Sequence, residues 1–214
     1  MRRRTIRGAA LLLLLALAGS IGRGQTSTAV IDRVEEDWSL AIGTPNPDEI
    51  GPQITTCMSP VSDGSTPFVA FDLNYRDYPS FLSGGVQAKV YSGGSVVASA
   101  SQDNDLLQTT GETITWTQRL SLTSANTLTY AVVNGQSTTW GAFGQGQGLS
   151  TLTFTANLSS LASYSPTTSV GNSGVGWQSN RVTQMTLTQV RYYSGGQLVA
   201  TDTTSRPVDL AIGQ

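Results

Sequence analysis

Histidine is absent from this sequence of 214 residues, and cysteine occurs only once. Without histidine, the chain alone can form neither a Ser-His-Asp triad nor a zinc site with histidine ligands. A single cysteine excludes an intrachain disulfide and a metal cluster held only by cysteines. Many hydrolytic and metal-dependent mechanisms are therefore closed to this chain, and we expect it not to be an enzyme.

Charge is also scarce, because charged residues make up only 12% of the sequence and Lys89 is the sole lysine. Five of the 12 basic residues, but none of the 14 acidic residues, precede Gln25. Removal of that first segment would leave a net charge of about −7. Nucleic-acid recognition needs a basic footprint, and attraction to anionic lipids needs clustered basic residues. We therefore expect no nucleic-acid partner.

The first 24 residues have the pattern of a signal peptide. Four arginines within the first seven residues precede an apolar run at 9–18, and small residues follow at 18–20. The apolar run is shorter than the roughly 20 residues that span a bilayer, although a short membrane anchor is the alternative. General and twin-arginine export both fit these arginines. Residues 25–214 are predicted to be secreted, extracellular or periplasmic, without membrane insertion.

Short segments after residue 25 alternate between apolar and hydroxyl-bearing side chains. The clearest cases are 152–158, 114–122 and 69–75. A period of two places one side of each strand on a core and leaves the other side facing water. The pattern predicts a single all-β domain, a two-sheet antiparallel β-sandwich of jelly-roll, concanavalin-like type with about eleven strands. These strands are predicted near 38–43, 53–59, 67–76, 86–92, 95–102, 112–122, 128–134, 150–158, 174–178, 181–193 and 197–204.

Two local patterns predict finer details of this sandwich. Gly-Gly pairs at 93–94 and 195–196 supply the positive φ angles that tight hairpins require. Within the strand at 181–193, the alternation of apolar residues is interrupted twice. Val182 and Met185 are three residues apart rather than two, and so are Leu187 and Val190. A β-bulge at each slip would keep one face of this strand on the core. One helical turn is expected at 158–164.

Several stretches resemble uncharacterised secreted proteins of planctomycete-type bacteria. They are VEEDW at 34–38, GPQITTCMSP at 51–60, NGQSTTWGAFG at 134–144, and GVGW at 174–177 with NRV at 180–182. The resemblance covers most of residues 34–204 and implies export, but that family has no assigned activity. The strand count and the late long hairpin are also similar to the concanavalin-A and laminin-G type of jelly roll. That likeness is architectural, and a fold does not determine a function.

Trp140 is the first candidate for ligand binding. The surrounding segment is rich in glycine and alanine, so that little bulk is available to cover the indole. An exposed indole offers its face to sugar C–H groups, while amides such as Gln136 and Gln145 bind hydroxyls. Phe143 and Trp177 complete this candidate site. The alternative is that Trp140 and Phe143 tuck under the loop and cap the core.

Metal binding and thiol chemistry have weaker signals. Asp103-Asn104-Asp105, with Asp48-Glu49 and Asp63, could supply oxygen ligands to calcium, but Asp and Asn clusters are also ordinary turn formers. We therefore assign no cofactor and keep calcium as an alternative. Cys57 lies on a predicted strand with no histidine or lysine beside it in the sequence, which favours a small buried residue over an intermolecular disulfide.

The carboxylates decide between a binding protein and a hydrolase. Glycan hydrolases need two carboxyl groups facing one cleft. Asp72, on the polar face of its strand, and Glu112 are the pair that would have to meet. The leading interpretation is a secreted, non-catalytic module that binds a polysaccharide or an envelope glycan. The alternatives are a structural or adhesive surface protein with a protein partner, and a divergent glycan hydrolase.

Overall fold

The computed structural model describes residues 30–44, 53–65, 67–73, 76–77, 82–83, 85–102, 110–176 and 182–210. These residues form two antiparallel sheets that pack as a β-sandwich, so the predicted all-β fold is confirmed. The predicted signal peptide lies outside the described ranges. No helix in those ranges is long and apolar enough to cross a lipid bilayer.

The strands and the one helix of the described residues follow in chain order. They are β1 (Arg33–Ile42), β2 (Gln53–Met58), β3 (Phe68–Leu73), β4 (Arg76–Asp77), β5 (Leu82–Ser83), β6 (Val86–Ser92), β7 (Ser95–Gln102), β8 (Thr113–Ser124), β9 (Thr127–Ser137), β10 (Gly141–Phe143), β11 (Leu152–Thr155), α1 (Pro166–Gly171), β12 (Gly174–Gly176), β13 (Val182–Ser194), β14 (Gln197–Asp202) and β15 (Arg206–Pro207).

The larger sheet has eight strands and the smaller has five. In the larger sheet the order is β10-β9-β8-β1-β13-β14, with β11 paired to β9 and β15 paired to β13. The order in the smaller sheet is β12-β2-β3-β6-β7, and β4 and β5 form a separate two-stranded ladder. Strand β1 is therefore central in the larger sheet, between β8 and β13.

The core lies between the two sheets and is built from the inward side of each alternating strand. Trp38 on β1 stacks on Trp116 of β8 with ring centroids 6.2 Å apart, and Phe71 of the smaller sheet packs against Trp116. Trp116 lies on the apolar side of the alternating segment 114–122, and both Trp116 and Trp38 are buried.

Both predicted bulges of β13 are confirmed. Opposite β1, the pairing passes from Gln189 to Leu187 and from Gln184 to Val182, so that Thr188 and Thr183 are the extra residues. Val182, Met185, Leu187 and Val190 consequently all face the core. The two predicted hairpins are confirmed as well, with positive φ at both glycines of each Gly-Gly pair.

The helical turn expected at 158–164 is wrong, because the helix begins later, at Pro166. Ser165 is its N-cap and its side chain accepts a hydrogen bond from the Thr168 amide, while Pro166 fits the first helical turn. The strand predicted at 150–158 covers only Leu152–Thr155, and β10 was not predicted.

Candidate functional site

The predicted ligand-binding residues do not form one surface. Trp140 is half-buried, packs against the core and makes an edge contact with Phe143 at 6.0 Å. Phe143 is 1% exposed, as in the alternative interpretation of this segment, so its ring is not available to a ligand at the surface. Gln145 is exposed and donates to Thr151 Oγ1 at 3.1 Å. Trp177 lies outside the described residues.

The glycines around Trp140 serve close packing. A Cβ on Gly135 would lie 2.5 Å from the ring of Phe143, and a Cβ on Gly144 would lie 2.6 Å from the Val132 carbonyl oxygen. Real Cβ atoms do not approach other atoms so closely, so both positions need glycine. Gly135 therefore lets Phe143 enter the core, whereas a Cβ on Gly141 or Gly146 would meet nothing within 4 Å.

The two carboxylates of the hydrolase hypothesis lie on different sheets and have different partners. Asp72 is on the outer side of β3, where it accepts hydrogen bonds from Thr55 and Gln53. Burial raises the pKa of Asp72, against those hydrogen bonds and the charge of Lys89. Glu112 accepts hydrogen bonds from Ser137 and Thr139, and so fixes the turn between β9 and β10. The structure does not bring Asp72 and Glu112 into one groove.

The other candidates from the sequence have local roles. Asp63 is exposed and accepts a hydrogen bond from the Ser65 amide at 2.8 Å. The remaining calcium candidates, at 48–49 and 103–105, lie outside the described residues, and within the described part no three acidic, cysteine or histidine residues are grouped for a metal. Cys57 is a free, buried thiol whose pKa burial raises to about 12.

A stronger candidate lies on the outer face of the larger sheet, at the centre of β1. Because β1 alternates, Trp38 and Leu40 face the core, while Glu35 and Asp37 face outward. In register with Glu35 are Arg119 on β8 and Arg191 on β13. Three central strands therefore bring charged side chains together in one row.

These outward side chains form a dense network of ion pairs. Arg119 Nε donates to Glu35 at 2.7 Å, and Arg191 lies 3.1 Å from the other Glu35 oxygen. Arg191 also binds both Asp37 oxygens, at 2.5 and 2.8 Å. Tyr193 donates its hydroxyl to Glu35 at 3.0 Å. We call this set, which also includes Arg33, the outer-face cluster (Arg33, Glu35, Asp37, Arg119, Arg191 and Tyr193).

The outer-face cluster holds Glu35 ionised although only 5% of the residue is exposed. Burial alone would raise the pKa of Glu35, but hydrogen bonds and charge from Arg119, Tyr193 and Arg191 lower it below its ordinary value. The Arg33 guanidinium covers the Tyr193 ring at 3.7 Å and shields this side of the network. The two acids are thus oriented and fixed before any ligand arrives.

A shallow polar depression of about 440 Å³ adjoins the outer-face cluster. The rings of Trp38 and Trp116 point into the core, so the chain at these two residues contributes the floor of the depression. Gln136 is exposed on the same face, in register with Thr115. The side chains around the floor carry hydroxyl, amide, carboxylate and guanidinium groups, from Asp37, Ser39, Thr115, Thr117, Asn134, Thr188 and Arg191.

The backbone at the rim of the depression is strained. Asn134 has a φ of 55°, one of two described non-glycine residues with positive φ. The pairing of β8 with β9 slips here, so that Asn134 and Gly135 lie opposite Trp116. A left-handed residue in a bulged central strand costs energy, and such residues concentrate at functional sites. The bulge turns the exposed Asn134 amide toward the depression.

Sequence reasoning missed this site because its residues come from distant strands. Glu35 and Asp37 precede the strand predicted at 38–43, and the polar Glu36 hides the alternation from Val34 to Leu40. Arg119 was already on the polar side of a predicted strand. A prediction that β1 begins at Arg33 would have placed Glu35 and Asp37 on the outer face. It would not have shown that they lie next to Arg119 and Arg191.

Comparisons with known proteins add little to this geometry. No protein-family model matches the chain, and no curated protein matches it in sequence. A crystal structure of scytalido-glutamic peptidase with a transition state analog inhibitor is 11% identical, with 82% of each chain covered and a TM-score of 0.37. A second structure of that peptidase, with a peptide based transition state analog, is 14% identical over 82% of each chain, with a TM-score of 0.30. A likeness at this level carries no inference about function.

Proposed function

We propose that the chain is a secreted, non-catalytic β-sandwich module that binds a polysaccharide or an envelope glycan in the polar depression of the larger sheet. The observation that supports this most strongly is an open depression lined by oriented polar groups on four neighbouring strands of the larger sheet. The proposed glycan site is therefore on the face of the larger sheet, whereas the sequence predicted it in the loop around Trp140.

The polar groups match the chemistry of a sugar. Hydroxyls of a sugar both donate and accept hydrogen bonds, and they need partners of both kinds. Asp37 accepts, Arg191 donates, and Thr115 and Asn134 can do both. Because Asp37 and Arg191 are already tied to each other at 2.5 Å, little side-chain freedom is lost when a ligand binds.

The same network is unsuited to acid–base catalysis. A general acid must hold a proton near the working pH, and the pKa of Glu35 is kept low by its arginine partners. Both oxygens of Glu35 are already occupied by donors from Arg119, Arg191 and Tyr193. These observations favour recognition over hydrolysis.

Filling the depression tests the proposal. Thr115 is an exposed strand residue in the depression, so Thr115→Trp adds bulk there without entering the core. Thr153→Trp is the matched control, because Thr153 is exposed on β11 of the same sheet but does not line the depression. Binding to a glycan array and to insoluble polysaccharides should be lost in Thr115→Trp and kept in Thr153→Trp.

Three outcomes of that experiment are informative. Equal binding by both tryptophan variants, with loss in Trp140→Ala, would return the site to the loop between β9 and β10. No binding by the wild-type chain across a broad panel would contradict glycan recognition. Release of reducing ends from a bound polysaccharide would contradict the non-catalytic part of the proposal.

A second candidate, adhesion to a protein partner, has its own supporting observation. Among the described residues, four of five exposed large hydrophobic side chains lie at the tips of two edge hairpins, namely Val96, Val97, Leu198 and Val199. Exposed apolar edges of sheets are sites of protein association. Sedimentation of the wild type and of a Val97→Lys, Val199→Lys double variant across a concentration series tests this, because only the wild type should associate.

A further inference from the structure

Glu36 is a carboxyl group enclosed in the interior of the sandwich, with none of its surface exposed. It accepts hydrogen bonds from Trp38 Nε1 at 3.0 Å, from Ser169 Oγ at 2.9 Å, and from the Tyr164 hydroxyl. Tyr164 and Ser169 both come from the connection between β11 and β12. One carboxyl group therefore ties the central strand of the larger sheet to this connection.

Ser169 extends the contact to the smaller sheet. Its Oγ lies within hydrogen-bond distance of both Glu36 and the Cys57 carbonyl oxygen on β2. The Cys57 amide donates to Ser173 Oγ at 3.0 Å, so the backbone of Cys57 faces this connection rather than β3. Ser169 is thus the donor that the structure provides for the Cys57 carbonyl.

The hydrogen bonds that Glu36, Ser169 and the Cys57 carbonyl can form at the same time depend on whether Glu36 is protonated. A serine hydroxyl has one hydrogen and can donate to only one acceptor at a time. A protonated Glu36 donates to Ser169, which then donates to the Cys57 carbonyl, so every group is satisfied. An ionised Glu36 needs the Ser169 hydrogen for itself, which leaves the buried Cys57 carbonyl without its donor.

We propose that Glu36, Ser169 and the Cys57 carbonyl form a proton-dependent latch between the two sheets, closed when Glu36 carries a proton and open when it does not. Opening would release α1, because Ser169 belongs to that helix. It would also widen a cavity of about 220 Å³ between α1 and β2, lined by Cys57, Ser59, Gly64, Phe68, Thr168, Ser169 and Asn172.

Glu36 titrates in a pH range that experiments on the folded protein can reach. Burial raises the pKa of Glu36 to about 7, against the hydrogen bonds from Tyr164, Trp38 and Ser169 and the charge of Arg206.

The other groups that act on Glu36 do not change charge near neutral pH. Burial raises the pKa of Tyr130, Tyr164 and Tyr192, as it does that of the Cys57 thiol, so all four stay neutral. Arg206, whose charge also acts on Glu36, is paired with Asp202 at 2.6 Å.

The single cysteine of the chain provides the test. Cys57 lines the cavity, so its labelling by a neutral maleimide reports on opening of the latch. Glu36→Gln is the uncharged reference, because its side chain has no proton to lose between pH 5.5 and 8.5. Trp38 Nε1 and Ser169 Oγ meet the same Glu36 oxygen, so the amide reproduces the neutral charge of the protonated acid and not all of its hydrogen bonds. The ratio of wild-type to Glu36→Gln labelling removes the intrinsic titration of the thiol, and the charge of an ionised Glu36, which raises the pKa of Cys57, works against the expected rise. We expect this ratio to rise about tenfold between pH 5.5 and 8.5, the factor that one buried hydrogen bond contributes to an opening equilibrium.

Hydrogen exchange separates the latch from general loosening of the fold. Exchange corrected for its intrinsic pH dependence should accelerate in α1 and β2 of the wild type, and not in β8 or β13. Relative to Glu36→Gln at the same pH, Ser169→Ala should label at pH 5.5 as fast as the wild type does at pH 8.5. A flat labelling ratio, uniform acceleration throughout the chain, or slow labelling of Ser169→Ala at pH 5.5 would each overturn the proposal.

Discussion

Glu35 and Glu36 are neighbours on β1, yet the two faces of the strand give their carboxyl groups opposite properties. Glu35 faces outward and is surrounded by cations, which lower its pKa despite its burial. Glu36 faces the interior, where neutral donors surround it and burial raises its pKa to about 7. Almost equal exposure, 5% and 0%, therefore has opposite electrostatic consequences.

The difference shows that the partners of a buried acid, rather than burial alone, determine its charge. Arginine partners hold Glu35 ionised, and Glu35 in turn fixes Arg191, which lines the depression beside Asp37. Hydroxyl and indole donors leave Glu36 free to exchange a proton near neutral pH. One strand thus supplies a constant charge to the outer face and a variable charge to the core.

The largest expected effect comes from removing the cation that both outward acids share. Arg191→Met leaves Glu35 buried with a partly compensated charge and leaves Asp37 with its hydrogen bond from Thr117 but without the cation, which should cost about 3 kcal/mol of unfolding free energy at pH 7. Urea denaturation measures this cost. The cost should shrink toward pH 4, because protonation relieves the uncompensated acids. A cost below about 1 kcal/mol would mean that Arg119 and Tyr193 alone suffice for Glu35.

The next effect concerns the interior acid and has the opposite pH dependence. Because the folded-state pKa of Glu36 is raised, its contribution to stability is fully present below its ordinary pKa of 4.5 and is lost as the pH rises through about 7. Between pH 4 and pH 8, the stability of Glu36→Gln relative to the wild type should therefore rise by on the order of 3 kcal/mol. At pH 4 the variant should be less stable than the wild type, because an amide nitrogen that donates to Ser169 cannot also accept from Trp38.

Glu35→Gln is the matched control for that measurement. The pKa of Glu35 is lowered on folding, so its contribution is present above 4.5 and is lost as the pH falls through the folded-state value. Glu35→Gln should be less stable than the wild type at pH 7 and approach it in acid. If the stabilities of both variants relative to the wild type change in the same direction as the pH rises from 4 to 8, the contrast between the two faces is wrong.

The sequence predicted the parts of this arrangement that depend on local periodicity. The slips between Val182 and Met185 and between Leu187 and Val190 predicted both bulges of β13, because a strand must keep its apolar residues on one face. The glycine pairs predicted both hairpins, because positive φ is a local requirement. These features need no knowledge of neighbouring strands.

Features that depend on which strands are neighbours were not predictable in this way. Glu35, Arg119 and Arg191 are separated by more than 70 residues along the chain and meet only because β1 lies between β8 and β13. Glu36 lies on the side of β1 that faces the core, where the alternation requires an apolar residue, so the first half of β1 did not show a strand pattern in the sequence. The alternation of β1 becomes visible only once an acid is allowed in the core.

A smaller effect tests the strained backbone beside the outer-face cluster. Asn134 has a φ of 55°, which asparagine tolerates better than alanine does and glycine better still. Asn134→Ala should cost about 1 kcal/mol, whereas Asn134→Gly should be close to neutral in stability. Both variants remove the amide from the depression, so both should weaken glycan binding. Binding lost only in Asn134→Ala would show that the backbone, rather than the amide, matters.

The smallest expected effect comes from an ion pair at the edge of the same sheet. Arg206 pairs with Asp202 at 2.6 Å, and hydrogen bonds from Arg206 and Thr204 lower the pKa of Asp202 to about 2. This pair joins β14 and β15, which both pair with β13 on the side away from β1, and its side chains are partly exposed, so water screens it. Arg206→Met should therefore cost about 0.5 kcal/mol, and that cost should vanish in 1 M salt. Arg191→Met should keep most of its larger cost under the same conditions, because Glu35 is enclosed by its partners. Equal salt sensitivity of the two variants would show that the outer-face cluster behaves as an ordinary surface network.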